Sequence, residues 1–150
     1  MITLLPLLAS VLLALTVPDA TAGERAFAVI TAPDAVDHRL SVESVGLIFR
    51  RKQNHWENGA RIQPVNLPSG HPLRHTFSQA ILGQAPEALE EYWRDMYFHG
   101  VLPPHVLGSE EAVMLFVAST PGAIGYVSTC VPDHKVNVVL MLGEVPPCPR

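Results

Sequence analysis

From residue 26 onwards, apolar and polar positions alternate with two different periods along the chain. Short apolar runs bounded by Pro, Gly and Asp predict buried strands, and apolar residues three and four positions apart predict amphipathic helices. Strands are predicted at 26–31, 61–67, 123–127 and 136–142, and helices at 41–52, 72–82, 86–98 and 109–120. Strands that alternate with helices indicate an α/β fold, with a small mixed sheet flanked by helices.

Three local signals refine these predictions. Ser41 is suited to cap the first helix, and Asn58-Gly59 is a turn-forming pair. Pro64 has no N–H group to donate to a neighbouring strand. The strand at 61–67 is therefore predicted to lie at a sheet edge or to be interrupted at Pro64.

The first segment of the chain predicts export. Residues 3–17 are almost wholly apolar, and Ala20-Thr21-Ala22 has the small-x-small form that a signal peptidase accepts. The run is shorter than the roughly 20 residues that a spanning helix needs. We therefore interpret residues 1–22 as a signal peptide cleaved after Ala22, and residues 23–150 as one exported domain with no membrane span. A buried N-terminal helix is the alternative.

Charge and cysteine content narrow the function further. The formal net charge is −4 and there are no basic runs, which argues against nucleic-acid binding and gives no support to a cationic membrane surface. In an oxidising compartment, Cys130 and Cys148 are expected to form a disulfide. Metal binding by two thiols so far apart is the less favoured interpretation.

The segment Ser69-Gly70 before a helix start is the strongest candidate for a binding site. A helix N-terminus presents backbone N–H groups and a positive dipole end to an anion. Gly70 allows a close approach of the ligand, Ser69 offers a hydroxyl, and His71 and Arg74 follow in or just after the loop. We expect these four residues to bind a small oxyanion; an ordinary helix cap without ligand is the alternative.

Other chemistry finds little support. His71 and His75 are four residues apart, a spacing that can hold a metal ion, but that helix contains no Glu or further His as an additional ligand. We therefore prefer to interpret them as two solvent-exposed histidines. There is no Gly-x-Ser-x-Gly elbow. The sequence thus predicts a non-enzyme without metal or cofactor. Trp93, Tyr97 and Phe98 could leave an exposed apolar patch, which would mark a partner surface.

Three segments together resemble the phosphate-type periplasmic solute-binding proteins. Residues 40–65 contain the motifs Ile-Phe and Trp-Glu-Asn-Gly. Residues 68–77 contain the pair Ser-Gly and end in Phe. Residues 120–127 read Thr-Pro-Gly-Ala-Ile-Gly-Tyr-Val. The resemblance implies a single three-layer lobe of a type II periplasmic binding protein. It also implies a link to phosphate ABC transport and an anion site at the Ser-Gly loop.

The chain departs from the family pattern in three respects. His71 stands where the family has Thr, and Val65-Asn66-Leu67 offer no counterpart to the family's Arg before the loop. A chain of this length supplies only one of the family's two lobes. Two hypotheses follow: weak binding of phosphate or a similar oxyanion, or an envelope interaction or signalling adaptor that keeps the lobe fold without ligand capture.

Overall fold

The computed structural model describes residues 26–36 and 38–148. The predicted signal peptide and its predicted cleavage after Ala22 lie outside the described residues. None of the helices in the described part of the chain is long and apolar enough to cross a bilayer.

The described chain contains five strands and four α-helices, in the order that the sequence pattern predicts. The elements are β1 (Phe27–Thr31), α1 (Val42–Phe49), β2 (Gln63–Asn66), α2 (Pro72–Phe77), α3 (Glu90–Phe98), β3 (His105–Val106), α4 (Glu110–Ser119), β4 (Ala123–Ser128) and β5 (Asn137–Leu142). A π-helical turn, Ser78–Leu82, extends α2, and a 3₁₀ turn, Pro86–Leu89, leads into α3. Only the two-residue strand β3 has no counterpart among the predicted elements.

Local chemistry accounts for where the helices begin and end. The hydroxyl of Ser41 accepts a hydrogen bond from the backbone N–H of Ser44 at 3.0 Å, which confirms the predicted cap of α1. Pro72 occupies the first turn of α2, where a missing N–H costs nothing. Gly83, with a φ of 70°, ends the π-helical turn in the left-handed conformation that glycine adopts without strain.

The strands form one mixed sheet in the order β3-β2-β4-β1-β5. Strands β3, β2 and β4 run parallel, and β1 is antiparallel to both β4 and β5. Of the two alternatives predicted for the strand that contains Pro64, a position at the sheet edge is wrong, because β2 lies between β3 and β4. Pairing with β3 involves only Val65 and Asn66, so Pro64 has a partner strand on one side alone.

Helices cover both faces of the sheet. On β4, Tyr126 stacks on Phe77 of α2 with ring centroids 3.7 Å apart. The neighbouring Gly125 points to the opposite face, where a Cβ would meet Val113 and Val117 of α4. The arrangement is a helix–sheet–helix sandwich around a buried core. It confirms the predicted α/β fold class, a single three-layer lobe.

Candidate functional site

The carboxyl ends of the parallel strands β2, β3 and β4 meet at one edge of the sheet, and a wide groove opens beside the ends of β2 and β3. Ligands of open α/β sheets commonly bind at this edge. The groove measures about 650 Å³. We call it the Ser69 groove; its walls are Asn66, Pro68, Ser69, Arg74, Pro86, Glu90, Trp93, Arg94, Tyr97, Pro103, Pro104 and Val106.

A buried hydrogen-bond network fixes the end of β2 at the groove. The hydroxyl of Tyr126 donates to Asn66 Oδ1 at 3.1 Å and accepts from the backbone N–H of Leu67 at 3.2 Å. Burial raises the pKa of Tyr126 to about 12, although the charge of Arg74 opposes that shift. The phenol therefore stays protonated and holds Asn66 rigidly beside the groove.

Arg74 is half-buried in the groove wall and bound to the same strand end. Its Nη1 donates to the carbonyl oxygen of Leu67 at 2.9 Å. An arginine side chain carries five N–H donors in a planar fork, so several remain for a ligand. The structure thus holds the Arg74 guanidinium in a fixed position with free donors.

Ser69 and Gly70 lie at the exposed tip of a turn. The N–H of His71 donates to the carbonyl of Pro68 at 2.9 Å and closes that turn. The N–H groups of Ser69 and Gly70, and the Ser69 hydroxyl, have no partner among the described residues. Ser69 lines the groove, whereas Gly70 does not.

His71 has a structural part at the helix start. Its side chain caps α2, with Nδ1 accepting from the backbone N–H of Leu73 at 3.1 Å. The N–H groups of His71 and Leu73 are thus bound within the protein, although the sequence predicted that the N–H groups at this helix start would face a ligand. His71 is absent from the groove wall, so Ser69 and Arg74 are the two predicted site residues that the structure brings together.

One side of the groove comes from α3, which the sequence did not assign to the site. Glu90, Trp93, Arg94 and Tyr97 lie on one face of that helix at a spacing of three to four residues. Arg94 adds a second guanidinium to the groove, and Glu90 adds a carboxylate. The helical spacing was visible in the sequence, but nothing there showed that this face meets the Ser-Gly turn.

Glu110, in the first turn of α4, is bound to the end of the neighbouring strand β4. At the same sheet edge, its carboxylate accepts hydrogen bonds from the backbone N–H of Ser128 at 2.6 Å and from the Ser128 hydroxyl at 3.0 Å. The carboxylate thus satisfies the end of β4. The N–H and the hydroxyl of Ser128 are therefore already hydrogen-bonded, whereas the N–H and the hydroxyl of Ser69 are available to a ligand.

The remaining predictions can be placed directly. Cys130 and Cys148 form the expected disulfide, with 5.3 Å between their Cα atoms. Within residues 26–36 and 38–148, no group of three or more His, Cys, Asp or Glu side chains is arranged to hold a metal ion.

An apolar rim borders the groove. Tyr97, Phe98, Leu102 and Val106 are 63%, 79%, 62% and 52% exposed. None of the residues of α3 is buried. The predicted exposed patch therefore contains Tyr97 and Phe98, whereas Trp93 is half-buried against the ring of Tyr92.

Comparison with solved structures gives clear matches of fold. A protein from Clostridium perfringens, described as a phosphate ABC transporter substrate-binding protein with bound phosphate, matches with a TM-score of 0.62 and 22% identity. That match covers 78% of this chain and 46% of the other. An ABC-type phosphate transport receptor from Vibrio cholerae matches with a TM-score of 0.59 and 15% identity, over 78% and 47% of the two chains. PstS from Borrelia burgdorferi matches with a TM-score of 0.56 and 20% identity, over 70% and 41%.

The chain therefore has a PstS-like fold and spans less than half the length of these structures. No family model and no curated protein matches the sequence. The predicted resemblance to phosphate-type solute-binding proteins is confirmed at the level of fold.

Proposed function

We propose that this protein is a non-enzymatic solute-binding protein of the periplasm, and that the lobe formed by this chain holds phosphate or a similar small oxyanion weakly in the Ser69 groove. The observation that carries the proposal is the convergence of Ser69 and Arg74 at the carboxyl edge of the parallel strands. The named function of the matched structures, phosphate binding, supports the same class of ligand.

The geometry of the groove explains why binding is expected to be weak. Arg74 offers one guanidinium and Arg94 a second one, and the turn offers the free N–H group and the hydroxyl of Ser69. Glu90 faces the same space and repels an anion. The groove is also open to water, where each charged contact is weaker than in an enclosed cleft.

Isothermal titration with inorganic phosphate at low salt tests the proposal. We expect saturable binding that Ser69→Ala and Arg74→Gln each weaken about tenfold, the loss that removal of a hydrogen bond to a charged group produces. Ser119→Ala and Arg39→Gln are matched controls, because both side chains lie outside the groove walls. Absence of heat at millimolar phosphate, or equal losses in the controls, would reject phosphate capture at this groove.

The apolar rim favours a second candidate function, a non-transport envelope interaction or signalling adaptor that keeps the lobe fold and docks on an envelope protein without capturing a ligand. Exposed aromatic residues of this kind are typical of partner surfaces. The adaptor hypothesis predicts a stable complex that Phe98→Ser and Tyr97→Ser weaken. Leu115→Ser is its control, since Leu115 is 69% exposed but lies on α4.

The location of the protein can be tested independently of its ligand. If residues 1–22 direct export, the protein recovered from the periplasm begins at Gly23 and its intact mass matches that terminus. Recovery of the whole chain from the cytoplasm would contradict a periplasmic binding function.

A further inference from the structure

Two arginines lie near each other at the amino-terminal end of β2, outside the Ser69 groove. Arg51 follows α1, and Arg61 closes the turn that precedes β2. Two hollows of about 340 Å³ and about 410 Å³ adjoin them, and both are lined by Arg51, Arg61 and Leu102. Only Pro103 and Pro104 line both this region and the Ser69 groove, so the two sites lie on different sides of the loop before β3.

The backbone of Arg51 has an unusual conformation for an arginine. The N–H of Lys52 donates to the carbonyl of Leu47, and the N–H of Arg51 donates to that of Ile48, each at 2.9 Å. This pattern is the Schellman motif that ends many helices, and its left-handed position is usually glycine. Arg51 occupies that position with a φ of 61°, the only non-glycine residue of the described chain with a positive φ.

The side chain of Arg51 is not satisfied by the protein. Its Nε is buried and has no hydrogen-bond partner. Among the described residues, no carboxylate forms an ion pair with either Arg51 or Arg61. Burial, and secondly the positive charge of Arg61, lower the pKa of Arg51. Two like charges therefore lie close together with no internal counter-charge.

Arg61 is held in place by a rigid turn. Residues 54–61 are closed by hydrogen bonds from Trp56 N to Ala60 O at 2.8 Å and from Ile62 N to Asn54 O at 2.9 Å. Trp56 Nε1 donates to the carbonyl of Gly122 at 3.0 Å. Gly122 must be glycine here, because a Cβ would overlap the carbonyl of Arg61. The backbone of Arg61 is thus held in place without any contribution from its own side chain.

The hollows combine this positive pair with apolar surface. Phe116, Pro103 and Leu102 line the first hollow, and Leu102 continues into the second. Their size suits a small molecule rather than a helix or strand of a partner. The buried Arg51 Nε without a partner, beside two guanidiniums without a carboxylate partner, suits a ligand with strong acceptors and more than one negative charge.

We propose that Arg51 and Arg61 bind the phosphomonoester group of a small organic ligand. A phosphomonoester carries close to two negative charges at neutral pH and three acceptor oxygens, so it compensates both guanidiniums, whereas a carboxylate compensates one. The organic part of the ligand contacts Leu102 and Pro103. This site is independent of the Ser69 groove and of inorganic phosphate binding there.

Titration of the isotopically labelled protein with phenyl phosphate, followed by amide NMR shifts at constant pH, tests the inference. We expect saturable shifts at residues 54–61 and 100–105. Arg51→Gln and Arg61→Gln each weaken binding by at least about tenfold. Arg51→Lys retains the charge but loses the fork, so it weakens binding less than Arg51→Gln. Benzoate, with the same ring and one charge, binds more weakly than phenyl phosphate.

Lys52→Gln is the matched control, because Lys52 is the adjacent exposed residue and its removal changes the net charge equally. If Lys52→Gln weakens binding as much as the arginine variants, the effect is one of net charge and the site is rejected. Shifts confined to residues 66–74 and 90–97 assign the probe to the Ser69 groove and also reject it. Absence of any shift at millimolar phenyl phosphate would likewise reject the proposed site at Arg51 and Arg61. Spectra of the unliganded variants establish that each is folded.

Discussion

The hydroxyl of Tyr126 donates a hydrogen bond to Asn66 Oδ1 across neighbouring strands, at 3.1 Å and in a buried setting. The same oxygen accepts from Leu67 N, so one phenol satisfies both the side chain and the backbone at the end of β2. Because Asn66 lines the Ser69 groove, the shape of the groove depends on a residue that does not reach it.

Tyr126→Phe is expected to destabilise the protein by about 1–3 kcal/mol at neutral pH, since it leaves Asn66 and Leu67 without their partner. The native pKa of Tyr126, about 12, lies above its ordinary value of 10.0. The unfolded state therefore loses this proton first, and wild-type stability falls as the pH rises through that window. Urea unfolding of both proteins at about pH 8 and about pH 11 should show the difference between them shrinking at high pH. A constant difference would show that the phenol is not buried as described.

Arg51→Gly is expected to stabilise the protein by about 1 kcal/mol. The substitution removes the left-handed strain of a non-glycine residue and relieves the repulsion from Arg61. Thermal and urea unfolding measure the change, with Lys52→Gly as the control; Lys52 has no positive φ and should lose stability slightly. Loss of stability in Arg51→Gly would mean that the arginine side chain makes favourable contacts that outweigh its strain.

Gly125→Ala is expected to destabilise the protein by about 1–3 kcal/mol, because a Cβ would meet the side chains of Val113 and Val65 within the core. The clash with Val113 is the tighter of the two. The double variant Gly125→Ala, Val113→Ala should therefore lose less unfolding free energy than the two single variants lose in sum, and a double-mutant cycle measures this difference. Additive losses would show that α4 does not pack on β4 at this residue.

Removal of the disulfide is expected to cost about 3 kcal/mol. Cys130 and Cys148 are 18 residues apart, and the loop-entropy relation gives this value for a loop of that length. The double variant Cys130→Ser, Cys148→Ser should unfold at lower urea than wild type, and reduced wild type should match it. Equal stability of the oxidised and reduced proteins would contradict a stabilising role for the cross-link.

The fold could largely be predicted from the sequence because its local signals agree with its tertiary structure. The Ser41 cap, Pro72 in the first turn of α2 and the Asn58-Gly59 turn each act within a few residues. Strand β3 could not be predicted, since two residues after Pro103-Pro104 carry no periodicity. Its pairing with β2 also explains why Pro64 did not mark an edge strand.

The candidate sites were less predictable because they depend on tertiary contacts. Ser69 and Arg74 stand out in sequence as a turn and a helix start, but the face of α3 that completes their groove is brought there only by the fold. Arg51 looks like one of three cations suited to a helix C-terminus. Its approach to Arg61 depends on the intervening turn, and that spatial relationship leaves no signature in either segment.

The order of strands in the sheet also determines when the protein can fold. Strand β1 pairs only with β4 and β5, whose residues lie about a hundred positions further along the chain. The centre of the sheet therefore cannot form during synthesis until the carboxyl-terminal segment has been released, and closing so long a loop makes folding comparatively slow. Until then the newly made chain lacks the pairing of β1 with β4 and β5.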